Sequence, residues 1–154
     1  MNLRLARDII EFIELLNSNS VEYLVVGGHA VGFHGFPRMT GDVDFFVRAD
    51  EENASRLVEV LRAFGIEDAE NLRPVLTTTG RSLKIGVPPN RIDVLTGISG
   101  VEFDEAWQSR VPGHLDRVPV RIIGKALLLK NKRASGRPKD LIDAAEIERL
   151  ASEV

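Results

Sequence analysis

The stretch VVGGHAVGFHGFPRMTGDVDFFV, residues 25–47, decides the fold because it joins two apolar segments through a glycine pair. Residues 23–26 form an unbroken apolar run that ends at Gly27 and Gly28, which predicts a strand covered on both faces and closed by a turn. In the second segment, Asp42 and Asp44 alternate with apolar residues. Because a strand repeats every two residues, both acids are predicted to lie on the same face of a second strand.

A third strand acid follows in RIDVLTGI, residues 91–98. This segment and SLKIGV, residues 82–87, are separated by the turn-forming residues 88–90, which predicts two strands joined by a tight connection. Alternation places Asp93 on the face opposite to its apolar neighbours. We therefore expect a third carboxylate to arrive from another strand of the same sheet.

Helices are predicted around these strands. Apolar residues recur at helical spacing in residues 2–17 and again after Asp50, which can cap a helix that runs to Phe64 and stops at Gly65. Further predictions are short helices at 29–34 and 102–109, an extended piece at 117–123, a helix at 125–134, and a last helix with the buried stripe Leu141, Ala144, Ile147 and Ala151. Residues 66–80 receive no assignment. The pattern predicts an α/β (α+β) fold, a mixed sheet flanked by helices, in one domain over residues 1–154.

Composition and charge exclude several classes of protein. The 154 residues are 44% hydrophobic and 28% charged, without a run near the ~20 apolar residues of a membrane helix. The chain has no cysteine, which excludes disulfides and thiolate metal sites, and Asp8, Glu11 and Glu14 are unlike a secretory signal, so we predict a cytoplasmic protein. With a net charge of -3, a polyanion must be held by a local basic cluster, which the C-terminal third supplies.

The acids predict metal chemistry. Two such carboxylates repel each other by up to ~4 kcal/mol at about 4 Å and an effective dielectric near ~20. Protonation, a nearby arginine or a divalent cation would offset this repulsion, and Mg²⁺ prefers carboxylate, water and phosphate oxygens. With Asp93, two ions could be held about 3.5–4 Å apart, as two-metal phosphoryl transfer requires.

Gly27 and Gly28 fit such a site because a backbone without Cβ atoms can approach a phosphate closely, beside the N-terminus of the next helix. Taken singly, the glycine pair is also typical of a turn, and the paired acids of a solvated edge strand.

Together, Gly27-Gly28, the thirteen residues after them, Asp42-Val43-Asp44 and the later Asp93 resemble the nucleotidyltransferase superfamily with the polymerase-beta-like fold. With the C-terminal LLLKNKRASGRPKDLIDAAEI, residues 127–147, the chain is most similar to bacterial nucleotidyltransferases of abortive-infection and toxin–antitoxin systems. The resemblance implies that the three acids hold Mg²⁺ or Mn²⁺ and that a nucleoside triphosphate such as ATP binds at the glycine pair. It also implies that Asp93 helps to activate the acceptor hydroxyl.

The resemblance assigns further residues to the nucleotide. Thr40 falls where the family often has Ser or Thr and would touch the phosphates. Arg38 could reach a phosphate or pair with a strand acid, and we leave both open. His29 and His34 are expected to pack or cap rather than bind metal, because hard Mg²⁺ favours oxygen. Lys130, Arg137, Lys139 and Asp140 match a C-terminal motif of the family. In the family, the basic side chains of this motif contact the nucleotide or the acceptor. In this chain they could also be a solvated helix end.

The implied reaction transfers a nucleoside monophosphate to an RNA end or a protein hydroxyl, with pyrophosphate leaving. A toxin or antitoxin protein is the expected partner, and no membrane partner is expected. The alternative is a non-catalytic nucleotidyltransferase-like domain that acts as an antitoxin or binding module. A metal nuclease ranks last. It usually adds a lysine within the acidic strand motif, and the only nearby candidate, Lys84, has a spacing that does not match such a motif.

Overall fold

The computed structural model describes residues 6–36 and 40–152, and these residues form a mixed sheet of six strands. The strands are β1 (Tyr23–Val26), β2 (Asp42–Val47), β3 (Ser82–Ile85), β4 (Arg91–Leu95), β5 (Val111–Leu115) and β6 (Val118–Ile122). Their order across the sheet is β3-β4-β2-β1-β6-β5. Strand β1 is antiparallel to β2 and parallel to β6, and β2 is parallel to β4. The predicted α/β architecture with a mixed sheet is confirmed.

Helices flank this sheet, as the sequence predicts. They are α1 (Arg7–Ser18), α2 (Gly27–Phe33), α3 (Glu51–Ala63), α4 (Arg73–Leu76), α5 (Phe103–Gln108), α6 (Lys125–Ser135) and α7 (Pro138–Ser152), with a 3₁₀ turn at Ala69–Leu72. The predicted cap of α3 is present, since the Asp50 carboxylate accepts a hydrogen bond from Asn53 N at 2.8 Å. None of the described helices is long and apolar enough to cross a bilayer.

The two faces of β2 have different partners. On one face, the Phe45 ring packs against Phe12 of α1 at 5.6 Å between centroids. On the other, Phe46 packs against Phe103 of α5 at 5.1 Å. Since side chains alternate along a strand, Asp42 and Asp44 share the face of Phe46. The acids therefore lie on the side of the sheet opposite to α1.

The structure has elements in two segments for which the sequence predicts none. Strand β5 was not predicted, because Pro112 and Gly113 interrupt its pattern; an edge strand tolerates proline since one side of its ladder is unpaired. The unassigned residues 66–80 contain the 3₁₀ turn and α4. Trp107 of α5 is half-buried and packs at the edge of the apolar core.

The predicted apolar stripe of α7 is partly wrong. Ala144 and Ile147 are buried, but Leu141 is 45% exposed and Ala151 is exposed. The inward face of this helix instead carries buried Asp140 and Asp143. Two aspartates thus occupy inward positions of α7 that a search for apolar residues at helical spacing does not find.

Candidate metal and nucleotide site

Parallel pairing of β2 with β4 brings the three acids together. In the strand register, Asp44 lies beside Asp93 and Asp42 lies beside Arg91. One carboxylate oxygen from each of Asp42, Asp44 and Asp93 falls within 4.8 Å of the others. Three anions this close repel strongly unless cations neutralise them.

Arg91 supplies most of that neutralisation. Its NH2 group donates to Asp42 Oδ2 at 2.7 Å and to Asp93 Oδ2 at 3.1 Å, and its Nε lies 3.0 Å from Asp93 Oδ1. Lys84, opposite Asp93 on β3, is farther away, with its Nζ 3.8 Å from Asp93 Oδ2. The guanidinium therefore bridges two of the three acids.

The acids of β2 differ in acidity. Although burial favours the neutral form of Asp42, hydrogen bonds from Arg91 and Thr40 lower the pKa of its carboxyl. Burial, reinforced by the charges of Asp42 and Asp93, raises the pKa of Asp44 to about 7. Asp44 thus carries the charge that the surrounding residues compensate least.

The donor set fits a hard divalent cation. Asp93 is 4% exposed, and its Oδ1 atom accepts no hydrogen bond within the described structure. Arg91 Nε lies 3.0 Å away but is poorly directed at it, and a buried carboxylate oxygen without a well-directed donor is costly unless it receives a ligand. The three acids offer only oxygen, which Mg²⁺ and Mn²⁺ prefer. Asp42, Asp44 and Asp93 are therefore the residues able to hold such an ion.

The glycine pair lies directly against these acids. Gly27 has φ +70, and a Cβ atom there would overlap Asp44 Oδ2 and lie 2.9 Å from its Cγ. A Cβ on Gly28 would come within 3.0 Å of Thr40 Cβ. The Thr40 hydroxyl in turn donates to Asp42 Oδ1 at 3.1 Å. The bare backbone, Thr40 and the strand acids thus form one continuous surface.

Helices α6 and α7 contribute a buried ionic network. The Lys132 ammonium lies 3.0 Å from Asp140 Oδ1 and 3.3 Å from Asp143 Oδ2. Asp140 Oδ2 accepts from Ser135 Oγ at 2.6 Å and from Arg137 Nε at 3.0 Å. Against the effect of burial, the hydrogen bonds from Ser135 and Lys132 lower the pKa of Asp140 to about 2. Asp140 therefore holds the two helices together as a permanent anion.

A cleft of about 450 Å³ lies between the strand acids and these helices. Its walls include the three strand acids, Gly27, Gly28, Thr40, Lys84, Arg91, Lys132, Arg137, Lys139 and Asp140. Although the chain has a net charge of -3, the cationic side chains in this cleft outnumber the aspartates. Such a cleft suits a polyanion that is accompanied by divalent cations.

Two of the predicted site residues, Lys130 and Arg38, lie apart from the cleft or outside the described residues. Lys130 does not line the cleft, and its ammonium pairs with Glu105 Oε1 at 3.3 Å. Arg38 lies outside the described residues. His34 Nε2 is 2.7 Å from the Ile123 carbonyl, a contact that anchors the end of α2. His29 is half-buried near Asp42, and burial lowers its pKa.

Solved structures share this fold. ANT(2″)-Ia, an aminoglycoside nucleotidyltransferase solved in complex with adenylyl-2″-tobramycin, matches with a TM-score of 0.55 and 15% identity over 94% of this chain and 93% of that chain. The chain has the nucleotidyltransferase fold. An antigenic nucleotidyltransferase-like protein from Paracoccidioides brasiliensis matches with a TM-score of 0.52 and 16% identity, over 96% of this chain and 79% of that chain. No protein-family model matches the sequence, and no curated protein does so.

Two charged residues of this nucleotidyltransferase fold were missed from sequence. Arg91 could have been found, because it stands two residues before Asp93 and period two puts both on one face. Lys132 gave no such signal. It lies two positions after Lys130 on α6, and residues two apart on a helix point in different directions.

Proposed function

We propose that this chain is a divalent-metal-dependent nucleotidyltransferase that moves a nucleoside monophosphate from a nucleoside triphosphate to an acceptor hydroxyl. The observation that carries this proposal is the convergence of Asp42, Asp44 and Asp93 beside Gly27. A solvated edge strand would leave Asp93 exposed and the acids apart. Here Asp93 is buried and all three meet at one end of a cleft.

The metal end of the cleft is assigned to the three acids. When bound there, Mg²⁺ or Mn²⁺ would polarise phosphate oxygens and lower the pKa of a coordinated hydroxyl. Asp93 would complete the ligand set and help to activate the acceptor hydroxyl, since its Oδ1 has no well-directed hydrogen-bond donor. Asp44 would gain most from a cation, because its burial already disfavours the charged form.

The phosphate end of the cleft is assigned to the glycine pair, Thr40 and the cations of α6 and α7. Gly27 and Gly28 leave their backbone uncovered on the side facing the acids. The Thr40 hydroxyl is within reach of the same surface through its hydrogen bond to Asp42. Arg137 and Lys139 are exposed at the cleft and can meet phosphate charges, with Asp140 holding Arg137 in place. Lys130, which pairs with Glu105 elsewhere, is left out.

For the acceptor, we propose an RNA end or a protein hydroxyl, in a toxin–antitoxin or phage-defence setting inside the cytoplasm. The support is the basic side of the cleft, which favours an anionic acceptor such as RNA. The resemblance of residues 127–147 to the toxin-like enzymes supports the setting. A partner protein of the toxin–antitoxin pair belongs to the same proposal.

The test is transfer of label. The protein is incubated with each of the four α-labelled nucleoside triphosphates, Mg²⁺ or Mn²⁺, and a host extract, and RNA and protein fractions are then separated. We expect label in one fraction with one preferred nucleotide. Asp42→Asn and Asp44→Asn should abolish it, whereas Asp68→Asn should not, because Asp68 is an exposed acid without a side-chain cap hydrogen bond.

Equal labelling by the wild type and both acid variants would show that the proposed metal-dependent mechanism is wrong. The alternative, a non-catalytic binding module, predicts no label in any fraction together with a partner complex that survives Asp42→Asn and Asp44→Asn. Purification of the wild type and the acid variants from the same cells separates these two outcomes.

A further inference from the structure

Arg91 contacts two of the three carboxylates that would hold a metal ion. Its guanidinium contacts Oδ2 of Asp42 and both carboxylate oxygens of Asp93 within 3.1 Å. Both acids are proposed metal ligands. A guanidinium and a divalent cation repel each other and compete for the same lone pairs, so the two cannot share this space.

From this competition, and on the basis of the proposed function, we propose that Arg91 is an exchangeable counter-ion that makes metal binding depend on the nucleotide. In the metal-free protein the guanidinium neutralises Asp42 and Asp93. When metal and nucleoside triphosphate arrive together, the guanidinium leaves the acids and pairs with phosphate oxygens. The free divalent cation alone binds weakly because it must displace Arg91 without that second partner.

The structure distinguishes this cation from a permanent one. The Arg91 side chain is 27% exposed at the cleft, and its Nε makes no well-directed hydrogen bond despite lying 3.0 Å from Asp93 Oδ1. By contrast, the Lys132 side chain is 7% exposed and sits between two buried carboxylates. Arg91 is therefore held at an accessible place by two hydrogen bonds from one Nη group and by charge, whereas Lys132 is enclosed.

The position of Arg91 also suits its proposed second partner, the phosphate oxygens of the nucleotide. As the first residue of β4 it stands beside Asp42, the first residue of β2, at the end of the sheet where β1 gives way to Gly27. A guanidinium binds phosphate oxygens with two parallel donors, which an ammonium cannot do. Lys84 is 57% exposed and 3.8 Å from Asp93, so it cannot replace the bridge between the two acids.

The experiment measures binding of Mn²⁺ alone by the loss of its free-ion paramagnetic resonance signal, in the wild type and in Arg91→Met. We expect Arg91→Met to bind Mn²⁺ about tenfold more tightly than the wild type, because the competing charge is gone. Arg56→Met removes an arginine that pairs with Glu52 on α3, away from the cleft, and should leave Mn²⁺ affinity unchanged. Unchanged or weaker Mn²⁺ binding by Arg91→Met overturns the proposal.

The second measurement repeats the titration with a non-hydrolysable nucleoside triphosphate. The analogue should tighten Mn²⁺ binding more in the wild type than in Arg91→Met, because only the wild type has the guanidinium to transfer. Equal tightening in both proteins also overturns the proposal. Should Arg91→Met not fold without metal, Arg91→Lys takes its place; it keeps the charge but loses the fork, and its Mn²⁺ affinity should exceed that of the wild type.

Failure of this inference is distinguishable from failure of the proposed function. If the wild type transfers label and binds Mn²⁺ as tightly as the Arg91 variants, only the role of Arg91 is wrong. If neither the wild type nor any variant binds Mn²⁺ with the analogue present, the metal site itself is wrong, and the role of Arg91 falls with it.

Discussion

Gly27 packs its bare Cα against the Asp44 carboxylate so closely that a Cβ atom there would lie 2.9 Å from Asp44 Cγ and overlap its Oδ2. The glycine pair and the acids are therefore one steric unit. A side chain at position 27 would displace an acid, and the backbone there has φ +70, a region that favours glycine.

Gly27→Ala is expected to lower the free energy of unfolding by at least about 2 kcal/mol, since the left-handed backbone costs about 1 kcal/mol and the collision with Asp44 adds to it. Urea denaturation measures this change. Gly136→Ala is the matched control: its φ is +69, but a Cβ there meets no atom within 4 Å. Gly136→Ala should lose only the roughly 1 kcal/mol that comes from the left-handed backbone. Equal losses in the two variants would show that contact with Asp44 is unimportant.

Asp44→Asn is expected to stabilise the metal-free protein at pH 8 by about 1–2 kcal/mol. The reason is that a buried anion beside two other carboxylates is removed while the shape is kept. On the proposed metal site, Mg²⁺ or Mn²⁺ should raise the melting temperature of the wild type but not that of this variant. Thermal unfolding with and without metal measures both effects. A variant that is less stable than the wild type without metal contradicts the repulsion argument.

Lys132→Met should destabilise the protein by about 3–5 kcal/mol, because it leaves the carboxylates of Asp140 and Asp143 buried without their shared cation. Lys130→Met is the control on the same helix. Lys130 pairs with Glu105 at the surface, so its loss should cost no more than about 1 kcal/mol. Chemical denaturation of both variants gives the comparison, and similar costs would show that the buried network contributes little.

The stability contributed by Asp140 should depend on pH in the acid range. Its pKa is about 2 in the folded protein against 3.8 as the ordinary value. Because the folded pKa is the lower one, the contribution is complete above pH 3.8 and is lost as pH falls toward 2. At pH 6, Asp140→Asn should lower the free energy of unfolding by about 2 kcal/mol. The difference between the wild type and the variant should shrink below pH 4, and a constant difference from pH 6 to 2.5 contradicts the pKa assignment.

Lys139→Met should raise the apparent KM for the nucleoside triphosphate about tenfold and leave stability within about 0.5 kcal/mol, because this exposed side chain lines the cleft. Lys125→Met removes an exposed lysine near Ser109 and Gly124, away from the cleft, and should change neither quantity. Steady-state labelling at varied nucleotide concentration tests the pair. An unchanged KM in Lys139→Met would remove this residue from the proposed nucleotide site.

The strand acids could be located from sequence because alternation is a local property. Asp42 and Asp44 share a face by period two, and the same rule orients Asp93 within β4. The sequence alone could not show that β2 and β4 are neighbours and parallel, which depends on tertiary pairing. It also favoured Lys130 over Lys132, since nothing local reveals which lysine of α6 turns toward Asp140. Arg91 is visible in the alternation, but nothing local distinguishes it from an arginine of an ordinary strand.

The acids belong to strands that touch in space but are separated along the chain by the whole segment between Val47 and Arg91. A nascent chain that has made only β1, β2 and α3 has two carboxylates and no partner strand to complete the trio. The ability to capture a dication thus appears only after the crossover has closed. Metal occupancy would then report that the topology is complete, separating finished molecules from truncated or mispaired ones.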